Sequence, residues 1–278
     1  METLSAAESY LQQFHQRQAG ATSRAFADLP ARVGATEYPS SYALLASAVP
    51  AGVQPLTVLD LACGDGYLLS LLGSAPATAR ELIGVDMSEG ELAAARARLP
   101  ASVRLLQQRA QQLSIASGSV DYVVSHMALM LMDDIEQVLA EIRRVLRAQG
   151  TFAAVVGRQF LTGPVMQVFL DVFRPIAKQD GLPHLAMGDA RTRTEAGWRA
   201  LLERDFIEVQ CTEVALPWYP QPDKLWADLL ETYDVDRLTA PARERCRIRM
   251  LEALRPLQQA DGTLVTGSGL YFLSAQAA

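Results

Sequence analysis

The residues best equipped for chemistry sit in one decapeptide, Val58-Leu59-Asp60-Leu61-Ala62-Cys63-Gly64-Asp65-Gly66-Tyr67. An apolar run that stops at two glycines predicts a strand feeding a helix through a tight turn. Such a turn lets a ligand approach the backbone closely and sets it at a helix N-terminus, and nucleotide-type ligands are the obvious contenders. A dinucleotide fingerprint, G-x-G-x-x-G, needs a third glycine for close helix packing, and counting from Gly64 that position is Leu69. Asp60 lies inside the strand end, where it would repel a pyrophosphate and suits a cationic ligand better. NAD is therefore disfavoured. A second acid, Asp86, ends the apolar run Leu82-Ile83-Gly84-Val85, and His126 and Arg158 follow two further apolar runs.

Positioning these groups takes alternating strands and helices. Apolar runs at Leu56–Leu61, Glu81–Asp86, Val103–Leu106, Val120–Val124 and Thr151–Val156 predict five strands. Tyr67 to about Leu72 reads as helical. Ser88 predicts a capped helix through Leu99, with Glu89 and Glu91 well placed in its first turn. The clearest helix spans Asp133–Arg147, where Ile135, Val138, Leu139, Ile142, Val145 and Leu146 share one face. Asp133 and Glu136 predict a capping box at its start, and Arg143, Arg144, Arg147 and Gly150 mark its end. This alternation implies an α/β fold, a parallel sheet with helices on both faces. After Gly157 the pattern loosens into helices at Pro164–Asp180 and Thr194–Arg204, then a sixth strand at Ile207–Leu216. A Pro-rich segment, 217–222, leads into a charged helical stretch through Leu254; Asp261-Gly262 predicts a turn and Thr263–Ala275 a last strand. Residues 1–50 read as helical, broken by Gly20, Pro30, Gly34 and Pro39.

Composition narrows the function classes. The 278 residues are half apolar, enough to bury a large core without metal or disulfide staples. With 25 basic against 31 acidic residues the net charge is −6, which argues against a general nucleic-acid binder. Cys63, Cys211 and Cys246, with His15, His126 and His184, have neither disulfide-framework nor zinc spacing, so no metal is expected. No apolar run is long enough to span a bilayer, and the N-terminal residues lack the basic lead and apolar run of a signal peptide. The expectation is a soluble cytoplasmic protein with a small-molecule partner, no nucleic acid and no membrane.

Five motifs resemble those of the class I S-adenosylmethionine-dependent methyltransferases. Asp60 to Gly66, DLACGDG, is similar to D/E-x-G-x-G-x-G, with Ala62 replacing the first glycine. Ile83-Gly84-Val85-Asp86-Met87-Ser88 is the second. Gln108-Arg109-Ala110-Gln111-Gln112-Leu113 resembles G-D-A-x-x-L, and Ser117 to Ser125 resembles the S-F-D-x-V strand. Glu141 to Gly150 resembles E-x-x-R-V-L-x-P-G-G. The matches run in order over roughly residues 56–157. The resemblance implies a Rossmann-like, doubly wound, mostly parallel seven-stranded sheet with helical cap insertions. It implies a methyltransferase domain over 51–278, an N-terminal helical cap over 1–50, and substrate-cap insertions at 158–205 and 217–262.

By the same resemblance the cofactor is S-adenosyl-L-methionine. Asp86 would grip the ribose hydroxyls, Met87, Ala110 and Gln111 would lie against adenine, and Asp60, Ala62, Gly64, Asp65 and Gly66 would line the turn. Arg109 stands where the family often has an acid bonding the adenine amino group. Ser125 closes the fourth motif, and Tyr42, with Tyr38, precedes the first strand where the family often closes an aromatic over the cofactor. His126 should face the transferable methyl, where an imidazole can take a proton from a hydroxyl or amine acceptor. Arg158 could hold an anionic substrate bidentately, and Tyr38, Trp218 and Tyr219 could wall an apolar one. The function implied is methyl transfer to an O or N atom, or a C atom, of a small organic acceptor, in keeping with secondary metabolism. The alternatives are an NAD-dependent oxidoreductase and a cofactor-binding protein without methyl transfer.

Overall fold

The computed structural model describes residues 4–52, 55–74 and 80–278; the remainder of the spans 1–50 and 51–278 named above lies outside the described residues. The N-terminal segment forms α1 (Ala6–Arg17), α2 (Ala21–Phe26), β1 (Ala31–Val33), β2 (Thr36–Tyr38) and α3 (Ser41–Ala46). An alternating series follows: β3 (Leu56–Leu61), α4 (Tyr67–Gly73), β4 (Arg80–Asp86), α5 (Glu89–Arg98), β5 (Arg104–Gln107), β6 (Val120–His126), α6 (Ile135–Val145) and β7 (Leu146–Gln159). The chain closes with α7 (Pro164–Gln179), α8 (Glu195–Leu202), β8 (Phe206–Trp218), α9 (Pro222–Leu229), α10 (Tyr233–Asp236), α11 (Ala240–Leu254) and β9 (Thr266–Ala277).

One sheet has the order β2-β1-β8-β9-β7-β6-β3-β4-β5. Its parallel pairs β3–β4, β3–β6, β4–β5 and β6–β7 give the Rossmann-like α/β fold. Among the described residues nine strands stand where seven are expected. The additional two are the hairpin β1–β2, in a stretch that reads as helical; Gly34, at φ 56, allows the tight reversal between Val33 and its partner Thr36. Three-residue strands carry no periodicity to betray them.

β3 is flanked by β4 on one side and β6 on the other, so the crossover direction reverses between β3 and β6. Ligand crevices in open α/β sheets form outside the carboxyl ends of the strands at this reversal. Val58, Leu59 and Leu61 of β3 are fully buried, as a central strand demands. From the face of α6, Ile135, Val138, Leu139, Ile142 and Val145 join Val123, Phe152 and Ala154 in one core. The start of α6 differs from the expected capping box. Its N-cap is Asp134, at φ 51 and without a side-chain cap, while Glu136 turns outward to Arg191 and Arg204.

The chain divides into two units. The first comprises 1–158, 186–214 and 270–278; the second comprises 159–185 and 215–269. Residues 186–205 do not belong to the second: Trp198, Leu201 and Leu202 of α8 are buried in the core cluster of the first unit. The second unit has its own core, built from Phe169, Phe173, Leu225, Trp226, Cys246 and Met250, among others. No helix among the described residues is long and apolar enough to cross a membrane.

The turn after β3 dictates one residue type. Gly66 has φ 76, and a Cβ there would lie 2.6 Å from Leu99 Cδ1 and 3.2 Å from Ala95 Cβ, so α5 packs onto the bare backbone. At Gly118, φ is 63 and nothing lies within 4 Å of the same built atom. Gly66→Ala should therefore cost both backbone strain and overpacking, roughly 2–4 kcal/mol, and Gly118→Ala strain alone, roughly 1 kcal/mol. Urea unfolding of the two variants measures the difference; equal losses would refute the packing argument.

Candidate functional site

Three carboxylates gather at the carboxyl ends of β3 and β4. Asp60 pairs in register with Gly84 on one side and Val124 on the other, and its side chain is 1% exposed. Neither of its carboxylate oxygens has a hydrogen-bond partner among the described residues. Burial, and then the neighbouring Asp86 and Asp65, hold its carboxyl well above the usual range. Asp86 is also buried, but its oxygens accept backbone N–H bonds from Gly64 (2.9 Å) and Ser88 (2.8 Å). Burial raises its pKa while those two bonds pull the other way. Asp65 accepts from Ser23 Oγ (2.6 Å), Arg98 (2.5 Å) and the Tyr67 N–H (3.3 Å).

These bonds decide what the turn can bind. A pyrophosphate site needs free N–H groups at the start of the helix. Here the Gly64 N–H is given to Asp86, the Tyr67 N–H to Asp65 and the Gly66 N–H to the Cys63 carbonyl (3.0 Å). Three donors of the turn are thus taken by the protein itself, while Asp60 stays without a partner among the described residues. A cationic group satisfies Asp60, whereas an anionic one meets Asp60 and Asp86, Asp65 being paired with Arg98. Among the described residues no three His, Cys, Asp or Glu side chains are grouped to hold a metal ion.

The backbone of the turn is unusual at a second point. Ala62 takes φ 60 and Gly64 φ 52. Alanine pays for this left-handed conformation where glycine would not, yet the small side chain keeps the turn open. The built Cβ of Gly64 meets only Glu91, at 3.8 Å. The side of Gly66, by contrast, is filled by Leu99.

The N-terminal segment covers this crevice. Gln12 Nε2 donates to the Met87 carbonyl (3.2 Å), Ser23 holds Asp65, and Gly20 N–H donates to Glu91 (2.8 Å). Gln111 Nε2 donates to Glu8 (3.2 Å) and to the Asp133 carbonyl (2.8 Å), and Arg109 pairs with Glu8 (2.5 Å). Ala110 is buried in the core beside them. Ser125 Oγ donates to the Leu61 carbonyl (2.8 Å), tying β6 to β3.

His126 ends β6, buried among aromatic rings. Tyr42 stacks on it at 3.6 Å and 18°, Phe26 meets it edge-on at 5.8 Å, and its Nε2 lies 2.9 Å from Ser41 Oγ. Its Nδ1 is buried without a partner. Burial lowers its pKa to about 3, so the ring is neutral at pH 7 and weakly basic. Tyr42 also meets Tyr67 edge-on at 4.9 Å.

The residues expected at the substrate are more scattered. Arg158 is exposed, 3.6 Å from Glu213 and over the Tyr271 ring. Tyr38 ends β2, half-buried and paired with Ala31. Trp218 and Tyr219 belong to the second unit, where Lys224 lies over the Trp218 ring and Tyr219 is 58% exposed. Sequence reasoning missed Glu8, Ser23, Ser41 and the inward turn of Glu91. Ser5 and Glu8 do carry the capping-box spacing, but nothing in that spacing says where the acid points.

Residues 59–154 match the family model described as a methyltransferase domain. The demethylmenaquinone methyltransferase of Lactococcus lactis subsp. lactis is 28% identical over 162 residues, 57% of this chain and 62% of that protein. The malonyl-[acyl-carrier protein] O-methyltransferase of Methylococcus capsulatus is 35% identical over 112 residues, 40% of each chain. The chain thus spans less than two thirds of the length of these curated relatives. Among solved structures, the YcgJ protein from Bacillus subtilis superposes with a TM-score of 0.55 at 20% identity, covering 86% of this chain and 98% of that one. A Haemonchus contortus N-methyltransferase in complex with S-adenosylhomocysteine gives 0.50 at 17%, covering 85% and 52%.

The His126 environment fixes a pH dependence. Its folded pKa of about 3 lies below the ordinary 6.5, so between those values the unfolded chain binds a proton that the folded one refuses. The stability is complete above pH 6.5 and is lost towards pH 3, by up to about 1.4 kcal/mol per pH unit. Urea unfolding at pH 7 and pH 5 should show a smaller acid loss for His126→Gln than for the wild type. Identical losses would mean that the ring is not held neutral by burial.

Proposed function

We propose that this chain, whose residues 59–154 form a methyltransferase domain of the class I S-adenosylmethionine-dependent type, transfers a methyl group from that cofactor to a small organic acceptor. One observation carries the reading: the crevice offers a buried carboxylate, Asp60, that has no hydrogen-bond partner among the described residues and has Asp65 and Asp86 for neighbours. That is the donor set for a cationic nucleoside. It does not suit a dinucleotide, so the NAD-dependent alternative is set aside.

In this reading Asp86 holds the ribose hydroxyls through the lone pairs that Gly64 and Ser88 leave free. Met87, Ala110 and Gln111 flank the adenine, and Asp60 and Asp65 face the positively charged methionine end. Ala62 and Gly64 let the ligand approach the backbone. S-adenosylmethionine supplies a methyl on a positively charged sulfur that leaves as a neutral thioether. The protein's part is to exclude water and align the acceptor. The layer of Tyr42, Ser41 and Phe26 around His126 provides the dry side of that pocket.

His126 Nδ1 has no partner among the described residues, but the ring is too weakly basic to serve as a general base. An imidazole this weakly basic cannot deprotonate an alcohol or an amine ahead of transfer. The acceptor we favour is therefore one already anionic at neutral pH: a carboxylate or an acidic enol. An O-methyltransferase is among the relatives named above. Acceptor choice is assigned to the segments outside 59–154, where Tyr38, Arg158, Trp218 and Tyr219 lie.

Calorimetry should detect S-adenosylhomocysteine binding and no binding of NADH; the reverse would overturn the reading. Incubation with methyl-labelled cofactor and small acidic acceptors should then yield labelled product. Persistent absence of label would favour a binding protein without turnover. Asp60 gives a sharper test. Because its carboxyl is raised above the ordinary 3.8, the folded state holds a proton that the unfolded chain gives up. The stability this contributes is complete below 3.8 and falls as pH rises through the folded value. Asp60→Asn should therefore raise the melting temperature at pH 7 and weaken S-adenosylhomocysteine binding about tenfold. Asp86→Ala should weaken binding by roughly 1–3 kcal/mol; an unchanged dissociation constant would remove Asp86 from the site.

A further inference from the structure

The polar groups that would meet a ligand are closed off in this structure. Asp60 is 1% exposed, Asp65 6% and Asp86 8%, and the layer over them is the N-terminal segment. Its joint between α1 and α2 nests on the first turn of α5. Gly90 N–H donates to Gln16 Oε1 (2.8 Å), and a Cβ on Gly90 would lie 2.9 Å from the Gln16 backbone. Gly20, at φ 75, comes so close to Asp65 that a Cβ there would lie 3.0 Å from Oδ2. Both contacts show backbone laid directly on the crevice wall.

Glu91 is the buried acid that neither the fold nor the proposed chemistry uses. Ser88 already caps α5, and a first-turn glutamate ordinarily points to solvent. Here it is 2% exposed. One oxygen accepts the Gly20 N–H at 2.8 Å and the other meets His15 Nδ1 at 2.7 Å. Three residues beyond Gly20, Ser23 donates to Asp65, one of the acids assigned to the ligand. The covering segment and the ligand site therefore share a side chain: Ser23 occupies one acceptor position of Asp65 and lays the segment against it.

We propose that Glu91 is a positioning residue, a latch that holds residues 15–23 over the turn and sets how fast a ligand reaches or leaves Asp60 and Asp65. A hydrogen bond from a backbone N–H to a carboxylate is about twice as strong as a neutral one. Neither the Gly20 bond nor the His15 contact belongs to the hydrogen-bond ladder of α5 or of the sheet, so the joint opens without unfolding either. The identity of the ligand rests on the function proposed above; the latch itself does not.

Two measurements on the full chain separate these layers. Backbone amide exchange of the ligand-free protein reads the latch alone. In Glu91→Gln and in Ser23→Ala, protection over residues 15–23 should fall about tenfold or more, with α4 and the sheet unchanged. Stopped-flow binding of S-adenosylhomocysteine reads the gate. Association and dissociation rate constants should rise together, each about tenfold, so that the dissociation constant moves far less than either. A side chain that merely supported the fold would lower global stability and leave this paired change in rates absent. Unchanged exchange in both folded variants overturns the latch. Faster exchange with unchanged rates overturns the gate. If the wild type binds no S-adenosylhomocysteine, the cofactor reading fails while the exchange result still decides the latch.

Discussion

Negative charge held out of water at the ends of β3 and β4 is the constraint around which the first unit is organised. Asp86 remains tolerable there because two backbone N–H groups, from the turns after β3 and β4, converge on it. The same two bonds tie those turns together, so the carboxylate joins neighbouring strand ends as much as it offers lone pairs to a ligand. Asp60 has no such compensation. An unpaired buried carboxylate costs several kcal/mol unless it holds a proton or meets a cation. The protein carries that cost at one residue and distributes the compensation through its packing. Strain and unsatisfied groups gather in this way where function requires them.

The glycines of the turn serve this arrangement in different ways. Gly64 leaves its side open towards Glu91, while Gly66 gives its side to Leu99. A single motif thus combines an open side with close helix packing. Ala62, at φ 60, shows that the first position tolerates a methyl group, which places the spatial demand of the turn downstream of it.

What could be read beforehand follows from the range of the interactions. The parallel strands were legible because each is a short apolar run bounded by a turn. Asp60 and Asp86 stood out because an acid inside such a run conflicts with its surroundings. The hairpin at 31–38 was not legible, since three-residue strands present no period. The start of α6 misled for another reason: Asp133 and Glu136 have capping-box spacing, but Glu136 is drawn to Arg191 and Arg204, more than fifty residues further along. The place of His126 at the end of β6 was legible. Its low basicity was not, because that depends on Phe26, Ser41 and Tyr42 arriving from a segment with no local link to β6.

The same reasoning explains why the covering segment is the least predictable part of the site and the most informative. Its contacts are made by residue types common on helix surfaces: Glu8, Gln12, Ser23 and Ser41. Each bonds to a residue at the strand ends: Glu8 to Arg109 and Gln111, Gln12 to the Met87 carbonyl, Ser23 to Asp65, and Ser41 to His126. Helix-surface residues bonded to the walls of a site form a layer whose order depends on what the site holds. Apolar packing would bury the strand ends more firmly, but it would not answer to a charged ligand. A cover of hydrogen bonds, each worth about 1 kcal/mol, is firm enough to dry the crevice and weak enough to be exchanged bond for bond with a ligand carrying hydroxyls and an ammonium group.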